Sequence, residues 1–156
     1  MSDTADDELA LRRLAALYAR GADRGEPETF AGVFLPDARL RVYRLPDLET
    51  PMTDMTGHEA LAKVPGKLTE RYTRTFHFLG QSTYEIGPGE PATEATGEVY
   101  CLAHHLTADQ HGGTSYVMHM RYSDTYRRDE HGDWKIAERT AEVDWTETRA
   151  ANPPGR

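Results

Sequence analysis

The chain has 156 residues, with 18 Lys+Arg against 26 Asp+Glu and a net charge of −8 when His is neutral, which argues against sequence-independent nucleic-acid binding. At 38% hydrophobic and 9% aromatic residues it holds enough apolar material for one buried core, and a single domain over 1–156 is expected, with 1–6 and 149–156 frayed. No stretch approaches the ~20 apolar residues of a membrane span, the acidic start lacks the pattern of a secretory signal, and the lone Cys101 rules out an intramolecular disulfide, all of which fit a cytoplasmic protein.

Leu9, Leu11, Leu14, Leu17 and Tyr18 recur near helical spacing and predict a first helix, capped by Thr4 with Asp7 and ended by Gly21 or Gly25. A short second helix opens at Pro27, carries Phe30, Val33 and Phe34 on its apolar side, and closes before Pro36. Residues 38–43 alternate with period two and read as a strand, whereas Arg44 to Thr56, with Pro46 and Pro51, reads as a loop. Thr56-Gly57-His58-Glu59 has the spacing of a capping box and opens a third helix through Leu61 and Val64, which Pro65-Gly66 breaks before Leu68 and Tyr72. Four runs rich in β-branched and aromatic residues follow, centred on Phe76, Tyr100, Met118 and Ile136. Gly/Pro/Asp-rich connectors at 87–91, 109–113 and 129–133 are short enough to make successive strands antiparallel neighbours. Helices first and a strand meander afterwards define an α+β fold.

Alternation sorts the strand side chains. It places Phe76, Phe78, Ser82 and Tyr84 opposite Thr75, His77, Leu79 and Gln81, and Tyr100, Leu102, His104 and Leu106 opposite Val99, Cys101, Ala103 and His105. In the last run Ala137, Arg139, Ala141, Val143 and Trp145 share a face. A bulge would swap any of these.

Polar groups stand out inside these apolar strands. His77 lies between two phenylalanines, Arg139 lies among alanines, and Asp23 follows a helix with Tyr18 at its apolar margin. Each has a structural alternative: a hydrogen-bonded histidine, a paired arginine, a helix-ending aspartate, a tyrosine with its hydroxyl in water. Tyr18 and Asp23 are five positions apart, about 140° around a helix at about 100° per residue, so one cavity reaches both only if it is wide or the helix end unwinds. If they converge, Asp23 orients His77 and raises its basicity, the pair abstracts a proton beside an activating group, Tyr18 donates to an oxygen, and Arg139 meets developing negative charge. That is elimination or isomerisation chemistry, needing no cofactor.

Other constellations are weaker. His104 and His105 point to opposite faces, so at most one lines a pocket, and no His-x-His or His-Glu-x-x-His spacing points to a metal. Cys101 reads as inert packing, Asp124 as structural or rim, and Met118/Met120/Tyr122 as a core or interface stripe.

Taken in order, residues 14–25, 34–38, 56–60, 75–80, 121–128, 132–139 and 144–145 resemble the SnoaL-like branch of the nuclear transport factor two-like superfamily. The resemblance implies a cone, a strongly curved and largely antiparallel sheet wrapped around N-terminal helices (a cystatin-like α+β barrel), with an apolar pocket inside. Members of this branch include scytalone dehydratase, bile-acid dehydratases and lindane dehydrochlorinase, which use an Asp–His pair; Asp23 and His77 fall at its positions. Tyr18 and Arg139 match the tyrosine and arginine completing the bile-acid dehydratase type of site. His104 or His105 lies near the second histidine of scytalone dehydratase. On this basis the catalytic set is Asp23, His77, Tyr18 and Arg139, and the substrate-contacting set is Tyr100, His104, His105, Met118, Tyr122 and Trp145, with no metal and no cofactor. The expected activity is that of a cofactor-independent lyase, a dehydratase acting on a hydrophobic cyclic polyketide, steroid or terpenoid. An isomerase or polyketide cyclase using the same pocket, or a non-catalytic ligand-binding protein, is the alternative. The expected partners are a hydrophobic small molecule and further copies of the chain in a homodimer or homotrimer, with no nucleic acid and no membrane.

Overall fold

A computed structural model describes residues 4–152. Ten elements follow one another: α1 (Thr4–Arg24), α2 (Pro27–Ala31), β1 (Phe34–Arg44), β2 (Thr53–Thr56), α3 (His58–Leu61), α4 (Val64–Arg71), β3 (Arg74–Ile86), β4 (Glu94–Asp109), β5 (Gly112–Arg128) and β6 (Trp134–Ala151). Of the segments expected to fray, residues 4–6 form the first turn of α1 and 149–151 the end of β6; residues 1–3 and 153–156 lie outside those described. No helix among the described residues is long and apolar enough to cross a membrane.

The strands form one sheet in the order β2-β1-β6-β5-β4-β3. Its pairs are antiparallel except β1 with β6, which is parallel. The sheet is strongly curved and unclosed, with β2 and β3 at its free edges, and α1 packs across its concave side. Between them lies the core, in which Leu11, Phe30, Leu61, Ile136 and Val143 are fully buried.

Two glycines fix the helical layer. Gly25 has φ +66, a left-handed conformation open to glycine, and ends α1. Gly21 stays helical: a Cβ there would lie 2.6 Å from the backbone nitrogen of Phe30, so its missing side chain lets α2 close onto α1. At the far end of α1 the buried Asp7 accepts hydrogen bonds from Trp134 Nε1 (2.9 Å) and Arg128 Nη2 (2.6 Å), fastening the helix to the ends of β5 and β6.

Several expectations are corrected. Val33 and Phe34 are not helical; β1 begins at Phe34 and runs through Pro36, which sits where the β1–β6 register shifts and needs no donor. Part of the expected loop is the short edge strand β2. The third helix does open at His58, but the capping box does not form: Gly57 is the N-cap with φ 85, no side chain caps the helix, and Thr56 stays in β2. Pro65 separates α3 from α4 by starting the second of them.

Three bulges redirect side chains. One between Leu79 and Ser82 returns Ser82 and Tyr84 to the side of His77, so they do not share a face with Phe76 and Phe78; Tyr84 packs on the core while those phenylalanines are exposed. In β6, Ala137 and Asp144 are the extra residues: Ile136 and Arg139 both point inward, and Trp145 is turned out to stack on His119 at 4.2 Å.

Candidate active site

A cavity of about 690 Å³ opens on the concave side of the sheet. Tyr18 of α1, Leu40 and Val42 of β1, Met55 of β2, Leu68 of α4 and His77 of β3 line it, with Ala103 and His105 of β4, Ala141 of β6 and the period-two series Tyr116, Met118, Met120 and Tyr122 of β5. This size suits a small organic molecule.

His77 stands in its wall, held by the last turn of α1. Asp23 Oδ1 accepts the Nδ1 proton of His77 at 2.6 Å and the Thr75 hydroxyl at 2.9 Å, and Oδ2 accepts the backbone N–H of His77, also at 2.9 Å. Burial works to raise the Asp23 pKa, but these bonds from His77 and Thr75 outweigh it and hold the carboxyl below its ordinary range. In the neutral ring, donation from Nδ1 to Asp23 puts the lone pair on Nε2, which takes no hydrogen bond from the described residues. The angular divergence of Tyr18 and Asp23 is therefore no obstacle. Tyr18 reaches the cavity directly, Asp23 reaches the back of His77 without lining the cavity, and the Tyr18 and His77 rings meet edge-on at 6.4 Å.

Burial pushes the Tyr18 hydroxyl up to about 12, with partial relief from the Arg139 charge, so it is a neutral donor at ordinary pH. Arg139 itself is fully buried. It forms a two-pronged pair with Asp124 (2.8 and 2.6 Å), and its guanidinium lies 4.2 Å over the rings of both Tyr18 and Tyr122. Burial opposes that charge, but the Asp124 carboxylate overcomes it and keeps the arginine protonated. The two rings, not the guanidinium, line the cavity, so the expected direct contact of Arg139 with reacting groups is not made. Asp124, which also accepts from the Tyr126 hydroxyl at 2.7 Å, has the structural place expected of it.

His105 is the histidine of its pair that faces inward. It is buried, its ring is 6.0 Å from that of His77, and Nδ1 donates a long bond (3.4 Å) to the Tyr116 carbonyl. Burial, reinforced by His77, drives its pKa down to about 4, so it is neutral. His104, Tyr100 and Trp145 are corrected to the opposite face of the sheet; Tyr100 and Trp145 there border a separate groove of about 310 Å³ with Phe78 and His119. Met118 and Tyr122 do line the cavity. The sequence reading missed Thr75, which shares the His77 face at two-residue spacing, and Tyr116, which precedes the Met118/Met120/Tyr122 stripe by the same step. Tyr72, ring to ring with His105 at 4.7 Å, gave no periodic signal because it ends a helix. Cys101 is buried and its thiol is pushed up to about 11 by burial, so it is unreactive packing. Among the described residues no group of three or more His, Cys, Asp or Glu is placed to hold a metal ion.

A curved, unclosed sheet packed against N-terminal helices, with His77 in the wall of the cavity and Asp23 behind it, places the chain in the α+β cone class of folds. A model of the SnoaL-like domain matches residues 3–140, and the chain belongs to that family, within the nuclear transport factor two-like superfamily. Among solved structures it is similar to a scytalone dehydratase-like protein of Novosphingobium aromaticivorans, with 26% identity over 100% of this chain and 99% of that one and a TM-score of 0.74. A hexachlorocyclohexane dehydrochlorinase, LinA type 2, has 18% identity over 98% and 97% and a TM-score of 0.80. A cystatin-like-fold protein of unknown function from Nostoc punctiforme has 22% identity over 92% and 96% and a TM-score of 0.66. The latter two likenesses are of fold. No curated protein matches the sequence.

Proposed function

We propose that this protein is a cofactor-independent lyase, a dehydratase of a hydrophobic cyclic small molecule of the polyketide, steroid or terpenoid kind. The observation that carries the proposal is the contact of Asp23 with His77 Nδ1 behind the cavity wall, which leaves Nε2 as the base facing the chamber. In the reaction, Nε2 removes a proton from a carbon next to an activating carbonyl. Asp23, ionised throughout, stabilises the imidazolium. The electron pair forms the new double bond as the β-hydroxyl departs, and the imidazolium returns its proton to the leaving oxygen, so water is released and the enzyme is restored. Tyr18, a donor too weakly acidic to give up its proton outright, hydrogen-bonds the activating oxygen as charge builds there. Neutral His105 accepts from a substrate hydroxyl, and Arg139 is a positioning residue that fixes the two tyrosine rings. The likeness over the whole chain to the scytalone dehydratase-like protein supports elimination over isomerisation.

His77→Ala tests this against a panel of hydroxylated cyclic ketones, with product mass as readout. Loss of one water that disappears in the variant is expected. An unchanged product mass with a shifted double bond makes the protein an isomerase or cyclase, and full activity in the folded variant removes the pair from the mechanism. Self-association as a homodimer or homotrimer belongs to the same reading, supported by the outer sheet face, where Phe76, Phe78 and Trp145 are 62%, 58% and 59% exposed. Sedimentation equilibrium of wild type and Phe78→Ser measures it.

A further inference from the structure

The body of the cavity is apolar, but its rim is not neutral. Among the described residues, Arg44, Lys67 and Arg71 are its only charged linings besides the histidines, and all three are basic and exposed in a chain of net charge −8. Elsewhere basic groups near this end of the sheet are answered by carboxylates: Arg39 by Asp54, Arg41 by Glu138, Lys63 by Glu59. Among the described residues, Arg44, Lys67 and Arg71 have no carboxylate within ion-pair distance. Two of them are instead steadied by rings of the cavity wall. Arg44 donates to the Tyr116 hydroxyl, and Arg71 lies 5.3 Å over the ring of Tyr72. Lys67 and Arg71 are one helical turn apart on α4, which puts both charges on the same side of the opening.

We infer that the ligand is an amphiphile, an apolar ring body seated in the chamber and an anionic group, carboxylate, sulfate or phosphate, held at the rim by Arg44, Lys67 and Arg71. The inference rests on the cavity being the substrate site. It narrows the substrate class from a neutral cyclic molecule to an acidic one. Each basic group, being exposed, contributes modestly, and screening by salt reduces it further. Together they favour the anion over a neutral molecule of the same shape by about tenfold, about 1.4 kcal/mol.

Two fluorescent probes with the same two ring systems separate charge from shape: anilinonaphthalene sulfonate, and N-phenyl-naphthylamine, which lacks the sulfonate. Titrated into the full chain at low salt, the sulfonate is expected to bind about tenfold more tightly, and the preference to shrink as salt is raised. In the double variant Lys67→Gln/Arg71→Gln the preference falls to about twofold, through loss of sulfonate affinity. Trp145→Ala, on the opposite face, leaves the preference intact. Equal affinities in the wild type, or a preference that survives the double variant, overturn the inference while the lyase reading stands. A preference lost in Trp145→Ala moves the anion to the outer face and also overturns it. Failure of both probes to bind refutes the chamber as a ligand site and takes both readings with it.

Discussion

Replacing Arg139 by Met removes a charge that has no route to solvent. The side chains of Arg139 and Asp124 are both 0% exposed, and two charge-assisted hydrogen bonds join them. In the variant Asp124 keeps only the Tyr126 hydroxyl, so a buried carboxylate loses its counter-charge. Two such bonds at about 1.5–3 kcal/mol each give about 3–6 kcal/mol, matching the about 3–5 kcal/mol typical of breaking a buried pair. Against a total stability of about 5–15 kcal/mol this is a large fraction. With a urea slope of about 2 kcal/mol/M, the unfolding midpoint should fall by about 2 M. Arg139→Met/Asp124→Leu, which removes both charges, should recover at least half of that loss. Urea titrations of the three proteins, followed by far-ultraviolet circular dichroism, read this directly. A loss below about 1 kcal/mol in Arg139→Met, or a double variant no more stable than the single one, would refute the view that this arginine acts through burial and pairing.

Asp23→Asn keeps the shape of the acceptor but turns an amide toward Nδ1, so His77 should carry its proton on Nε2; nitrogen NMR of the imidazole reports the tautomer, and turnover should fall about 10³-fold or more. His105 has a folded pKa near 4 against an ordinary 6.5, so the unfolded chain binds more protons between those values. Stability should therefore decline as pH falls through that window, by up to about 1.4 kcal/mol per pH unit, and His105→Phe should flatten the decline in a urea series. Asp23 has a lowered pKa, so its contribution is present above the ordinary carboxylate range and vanishes only as pH falls through the folded value, below the His105 window. Asp7→Ala removes the acceptor of Trp134 Nε1 and of Arg128 Nη2 and should cost about 1.5–3 kcal/mol by the same titration.

Local periodicity carries most of the fold: the first helix, the four long strands and their antiparallel order are written in residues a few positions apart. The rest depends on partners far along the chain. β2 is four residues long and exists because β1 is there to pair with it. Phe34 joins a strand through the distant Ile136 despite the nearby Pro36. The extra residues at Ala137 and Asp144 are invisible to strict alternation, which is why Trp145 was expected inside and is found outside. Asp23 and His77 could be singled out as polar groups in apolar settings, but their contact spans 54 positions and follows from packing. Arg139 gave the same polarity signal for a different reason: its charge is consumed by Asp124 within the sheet.

The first helix bears on one further matter. Fastened by Asp7 at one end and by Asp23 at the other, it is a strut of fixed length, about 24 Å for sixteen residues at about 1.5 Å each. One residue inserted between those anchors would turn everything beyond it by about 100°, so both ends could not be met together. Chamber geometry is thus set by the count of residues between Asp7 and Asp23 as well as by their identities.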